Sequence, residues 1–222
     1  MELSENDAVR KMYLNIRNYC EEMKCENALK ALPYAYEKHN GVERVGGDPY
    51  IIHPLQVAWQ GILIGVNSDI EIASALLHDV PEDCNTMLED LDIDPLIKDI
   101  TINFLNVHQF ESAAWDKHER NRRYFDKIAT NEIATMIKFG DTDNNLSTMM
   151  RDFSPEKILK NVIEKREFMY PLLDYASKIY ESIPGRKEQI AFYSKRIHAF
   201  VEQADAHLGD KSSSLHRTKH IA

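Results

Sequence analysis

Cysteine is scarce in this chain: Cys20, Cys25 and Cys84 are its only thiols in 222 residues. Three match neither a disulfide framework nor a paired C-x-x-C zinc site, and a chain of this length can bury a sizeable core without staples. Reduced thiols and a cytoplasmic protein are expected. No apolar stretch is long enough to span a bilayer, and an N-terminus carrying Glu2, Glu5 and Asp7 has no export-type apolar segment. Basic residues are also in deficit, 27 against 36 acidic, for a net charge of -9. That balance argues against a nucleic-acid groove but leaves small anionic substrates open. There is no repeat of solenoid length, no useful run of strand alternation, and no Gly-x-Gly-x-x-Gly or Walker-type loop. Helical periodicity remains, and the expected fold is all-α.

The apolar spacing predicts helices over about 7–25 and 26–38, the second ending before Asn40-Gly41. Cys20 and Cys25, five apart, fall off a common helix face. Residues 39–50 hold three glycines and a proline and read as a loop carrying Arg44, whose planar fork suits phosphate or a base plane. Any surface loop could have this composition. Pro54 marks the first turn of a helix running through Gly65, with His53 at its start. A nearly all-round apolar helix from Ser68 to His78 is expected to be the central one. It ends in His78, Asp79, Glu82 and Asp83. That set reads either as divalent-ion ligands with spare carboxylates for proton transfer, or as a polar helix cap followed by a solvated turn begun by Pro81.

Two short helices are predicted near 86–91 and 95–105 amid an acidic, solvated run. A polar helix over 113–128 groups Arg120, Arg122 and Arg123, which read either as an exposed face or as cations able to reach an anionic substrate. The stretch Ile133–Leu146 reads as an apolar helix ending in acids and amides, with Asp141 and Asn145 on one face. Long amphipathic helices over about 155–181 and 186–208 close a bundle. One domain is expected over 1–210, with its motif-bearing core at about 26–150, followed by a disordered tail at 211–222.

His39-x-Gly41-x-x-Arg44-x-x-Gly47-x-Pro49-Tyr50-Ile-x-His53-Pro54, then Leu76-Leu77-His78-Asp79-Val-x-Glu82-Asp83, then Lys138 to Asn145, fall in an order that resembles the HD-domain metal-dependent phosphohydrolases. Within them the sequence looks most like the RelA/SpoT-type (p)ppGpp hydrolase domain, over about 31–150. The resemblance implies an HD-domain helical bundle in which His53, His78, Asp79 and Asp141 hold one divalent ion, usually manganese. It further implies Glu82 and Asp83 as the pair acting on the attacking water, and Arg44, Asn145 and Thr148 as nucleotide contacts. Tyr50 is expected to be a pocket wall. The implied activity is release of pyrophosphate from the ribose 3′ position of a guanosine nucleotide, a small-molecule substrate.

The sequence departs from that pattern at Val45, Thr142 and Ser147, where basic residues are common, and at Pro81, where an aliphatic residue is usual. No synthetase domain is expected within residues 151–222. Each lost cation favours a substrate with fewer phosphates. Two other readings follow: an HD-domain phosphohydrolase acting on a different nucleotide or phosphate ester, and an HD-like protein that binds a nucleotide or partner without turnover. The oligomeric state is not legible in the sequence.

Overall fold

The computed structural model describes residues 6–84 and 86–218, with residues 210–218 as backbone alone. Its elements are α1 (Asp7–Met23), α2 (Glu26–Lys38), α3 (Ile52–Ile64), α4 (Asp69–Leu77), α5 (Val80–Asp83) and α6 (Pro95–Asp99). They continue with α7 (Lys117–Ile128), α8 (Glu132–Asp152), α9 (Pro155–Glu164), α10 (Tyr170–Ile179) and α11 (Arg186–Thr218). Among the described residues no strand forms; Glu43 and Pro49 make one isolated antiparallel bridge that closes the glycine-rich loop. The all-α expectation holds.

Local chemistry explains most boundaries. Asn6, Ser68, Asp94, Asp116, Asn131 and Ser154 each accept a backbone N–H at a helix start, contacts typically worth ~1 kcal/mol. Ser68 and Glu71 form a reciprocal capping box. α3 stops at Gly65, whose φ of 87° places it in the left-handed region.

Two apolar clusters make the interior. One gathers α1 to α6, the other α7 to α11 with Val66. α4 is buried from Glu71 to Leu77, as a nearly all-round apolar helix should be. The element common to both clusters is nonetheless α8, which gives Ala134 and Ile137 to the first and Met136, Phe139, Leu146 and Met149 to the second. A buried ionic group joins the clusters elsewhere: Arg186 of α11 pairs with Glu71 of α4 and Glu132 of α8.

Several local expectations are corrected. α1 ends at Met23 and Lys24 turns with a φ of 59°, so the Cys25 N–H returns to the Cys20 carbonyl at 2.9 Å. The two thiols thereby come into hydrogen-bonding contact, despite their helical spacing. Pro81 sits in the first turn of α5 and starts a helical turn instead of breaking one. Residues 86–91 are not helical, and α7 begins at Lys117, four residues after the expected start. The helix from Pro95 passes into a π-helical turn over Ile100–Leu105, and that from Pro155 does so over Lys165–Met169. α8 does not stop near residue 146 but runs to Asp152, with Asp141 to Asn144 buried along it. The backbone of α11 is helical through Thr218, where disorder is expected from residue 211; residues 219–222 lie outside the described residues.

Candidate metal centre and anion pocket

The break between α4 and α5 sets the site. His78 closes α4 and Asp79 precedes α5, so adjacent residues leave two helix ends toward the same point. His53 in the first turn of α3 and Asp141 in the middle of α8 face them. The Nε2 atoms of His53 and His78 are 3.2 Å apart. Asp79 lies 3.3 Å from the first and 3.1 Å from the second, while Asp141 Oδ1 lies 3.2 Å and 3.8 Å away. One atom each from His53, His78 and Asp79 falls within a 4.8 Å span.

Both ring orientations are dictated by acceptors. His78 Nδ1 donates to the Ala75 carbonyl at 2.7 Å, and His53 Nδ1 donates to Asn144 Oδ1 at 2.6 Å. With Nδ1 carrying the proton, each neutral ring presents a lone pair at Nε2. Two lone pairs 3.2 Å apart beside two carboxylates form a point of strong negative potential that requires a cation or protons. Two imidazole nitrogens and two carboxylates suit a borderline divalent ion, so the residues fit the group that the motifs imply.

Charge shifts reflect this crowding. Burial pulls the His53 pKa down, but Asp141 and Asp79 outweigh it and hold it up to about 9. The His78 pKa is likewise raised by Asp79 against burial. Burial pushes Asp79 up while His78 pulls it below the usual carboxylate range. Asp141 is also held low against burial, chiefly by Lys138, whose Nζ donates to Asp141 Oδ2 at 2.8 Å. Any incoming cation therefore displaces protons from the imidazoles.

Around the donors is a cavity of about 190 Å³ lined by Tyr50, His53, His78, Asp79, Glu82, Leu105, Tyr124, Lys138, Asp141 and Asn145. Glu82 accepts the Val107 N–H at 3.3 Å, and burial together with the charge of Asp79 raises its pKa. Asp83 is exposed and does not line this cavity. The Tyr50 hydroxyl donates to Asp79 Oδ2 at 2.9 Å, so this ring is more than a wall. Arg44 reaches across from its loop: Nη1 donates to Asn144 Oδ1 at 3.2 Å and Nη2 to Asn145 Oδ1 at 2.5 Å. Thr148, one turn on, bonds Asp152 and stands outside the cavity.

Sequence reasoning missed Leu105 and Tyr124. The π-helical turn brings Leu105 in, and its carbonyl accepts the Tyr124 hydroxyl at 2.8 Å. Lys138 was legible only as the first residue of the distal stretch, although its spacing of three from Asp141 could have flagged an ion pair. The arginines considered as extra cations, Arg122 and Arg123, are held by Glu119, and Arg122 also by Asp126. Of the departures, Val45 is 73% exposed on the loop, Ser147 is exposed, and Thr142 is buried. A groove of about 530 Å³ between α7 and α10 is larger than the site cavity, but its charged groups are already paired with one another or with Glu119.

A guanosine-3′,5′-bis(diphosphate) 3′-pyrophosphohydrolase of Vibrio cholerae is 28% identical over 93% of the chain, which covers 30% of that protein. The sequence is thus similar over most of its length to that of a protein of this name. A protein of the same name from Aquifex aeolicus is 29% identical over 73% of the chain and 23% of its own length. A probable GTP pyrophosphokinase of Mycobacterium leprae is 34% identical over 64% and 18% respectively. The chain thus spans less than a third of the length of these relatives. No protein-family model matches it. Among solved structures, a metazoan ortholog of SpoT that hydrolyzes ppGpp superposes with a TM-score of 0.58 at 19% identity, covering 77% of this chain and 95% of that one. The all-α fold is therefore shared with that structure.

Proposed function

We propose that the chain is a metal-dependent phosphohydrolase that releases pyrophosphate from the 3′ position of a guanosine nucleotide, (p)ppGpp being the substrate class. The observation that carries this reading is the convergence of His53, His78, Asp79 and Asp141 on one point beside Glu82, with Arg44 bonded to Asn145 of the cavity lining. His53, His78, Asp79 and Asp141 would hold one divalent ion, Mn²⁺ in this proposal. Such an ion supplies acidification of water and neutralisation of phosphate charge.

The protein's own groups perform the rest. Arg44 offers its guanidinium to a phosphate or base, with Asn145 as a neutral partner beside it and Thr148 available only to a part of the nucleotide that extends beyond the cavity. Glu82, whose raised pKa makes it a stronger base than an ordinary glutamate, takes a proton from the attacking water. Asp83 stands at the outer edge to pass that proton to solvent. The water oxygen bonds to the phosphorus carried by the ribose O3′, the bond from that phosphorus to O3′ breaks, the ribose oxygen takes a proton from solvent, and pyrophosphate leaves. The reading places this activity on a small nucleotide in the cytoplasm, in a single domain over 1–210, and the net charge of -9 disfavours nucleic acid as a partner.

A second reading is favoured by Val45 and Ser147, neutral and exposed beside the Arg44 loop and the distal helix. It keeps the same chemistry on a nucleotide or phosphate ester with fewer phosphates. Purified protein assayed with Mn²⁺ or with EDTA against ppGpp, NADPH and common nucleotides decides between the two. Mn²⁺-dependent pyrophosphate release from ppGpp is expected. Retention of stoichiometric metal by both His78→Ala and Asp141→Ala would remove the basis of either reading.

A further inference from the structure

Arg44 is joined to the proposed ligand set at two points. Its Nη2 donates to Asn145 Oδ1, and Asn145 Nδ2 donates to Asp141 Oδ1 at 2.6 Å. Its Nη1 donates to Asn144 Oδ1, the same oxygen that accepts from His53 Nδ1. Arginine has donors only, so the oxygen of the Asn144 amide must face it. The amide is oriented from the other side too, because Asn144 Nδ2 donates to Gln56 Oε1 at 2.9 Å. Asn144 is itself buried, at 6% exposure, so neither contact is readily exchanged for water.

We propose that Asn144 is a positioning residue that couples the anion-binding arginine to the cation site, one oxygen holding both Arg44 and the proton-bearing nitrogen of His53. This inference rests on the metal-dependent reading and deepens it. The Asn144 oxygen has two lone pairs and two donors, so it is saturated. Removing it leaves His53 free to present either ring nitrogen to the cation, and frees one arm of the guanidinium fork. Because binding free energies are reciprocal, an oxygen that orients both groups makes cation affinity depend on the geometry of Arg44, and anion affinity on the cation.

Mn²⁺ affinity, read from the free-ion paramagnetic resonance signal, tests this without turnover. Outer partners of metal-bound histidines typically contribute about 10- to 100-fold in affinity, and Asn144→Leu is expected to weaken Mn²⁺ by that factor. Asn144→Asp, which keeps an acceptor for both donors, should stay within about threefold of the parent. Arg44→Lys keeps the charge but loses the fork. It should weaken Mn²⁺ about threefold when Asn144 is present and by clearly less in the Asn144→Leu background, where only the route through Asn145 remains, the non-additivity expected of groups sharing one partner. Should Asn144→Leu lose its cooperative melt, Asn144→Ser, too short to reach both donors, takes its place with the same expectations. Parental Mn²⁺ affinity in Asn144→Leu or Asn144→Ser, or additive effects of the Arg44 and Asn144 changes, would overturn the coupling while leaving the metal site standing. Absence of Mn²⁺ binding by the parent protein would instead overturn the metal-dependent reading, and the coupling with it.

Discussion

Replacing Lys138 with methionine separates the two charges that contend for Asp141. Nζ and Oδ2 are 2.8 Å apart, and both side chains are largely withdrawn from water, at 19% and 9% exposure. At an effective dielectric constant of ~20 the direct attraction is about 6 kcal/mol. Part of that is offset by the desolvation of lysine, which methionine no longer incurs, and His53 still donates to Asp141. A net loss of about 3 kcal/mol in the metal-free protein follows, at the lower end for breaking a buried pair. For a chain of this size that is a fall in melting temperature of roughly 6–12 °C. With an ion bound, Asp141 no longer depends on Lys138 for its counter-charge. Saturating Mn²⁺ should therefore raise the melting temperature of Lys138→Met more than that of the parent, and the variant should bind Mn²⁺ more tightly. Calorimetric melts with EDTA and over a Mn²⁺ series measure both. A metal-free loss under about 1 kcal/mol, or equal stabilisation of the two proteins by Mn²⁺, would refute the view that lysine and ion compete for one carboxylate.

Glu82→Gln should retain Mn²⁺ and substrate binding but lose about 10²- to 10⁴-fold in turnover, the usual scale for a general base; full activity would move that role to another group. Val45→Lys restores a cation beside Arg44 on an exposed loop position. Charged contacts to phosphate are roughly twice as strong as neutral ones, so KM for ppGpp should fall, measured at fixed Mn²⁺ and ionic strength. An unchanged KM would mean that Lys138 already supplies the charge. His39 is buried against the Tyr50 ring, their centroids 4.8 Å apart, and burial lowers its pKa from 6.5 to about 4. The unfolded chain therefore takes up this proton first as pH falls. Stability should decline between pH 6.5 and 4 at up to ~1.4 kcal/mol per pH unit, about 3 kcal/mol in all. Urea unfolding of His39→Phe should show a shallower decline over that window, and parallel declines in the two proteins would count against the assignment.

Much of the helical architecture follows from local physics. Apolar spacing places α1 to α4 within a residue or two of their observed ends, because caps such as Ser68 and stops such as Gly65 act within one turn. The His78-Asp79 doublet and the loop arginine were likewise visible as residues, since an apolar helix ending in four ionisable groups stands out in the sequence alone. Periodicity failed where tertiary contact overrides it. Asp141 to Asn144 look like a polar helix end, yet α8 continues because Asp143 is satisfied by Gln60 and Arg196, and Asn144 by His53, Gln56 and Arg44.

The sequence by itself determined the helices, the order of the candidate ligands and the shortage of positive charge beside Arg44. Only the tertiary structure decided that the turn at Pro81 is helical and presents Glu82 to the cavity, that Leu105 and Tyr124 wall it, and that Lys138 neutralises Asp141. It also decided that Arg122 and Arg123 are already paired with Glu119 and that Asn144 stands between Arg44 and His53. These are contacts between groups 19 to 100 residues apart, or choices among several nearby partners. A pattern that repeats every few residues carries no information about which distant donor will reach an acceptor first.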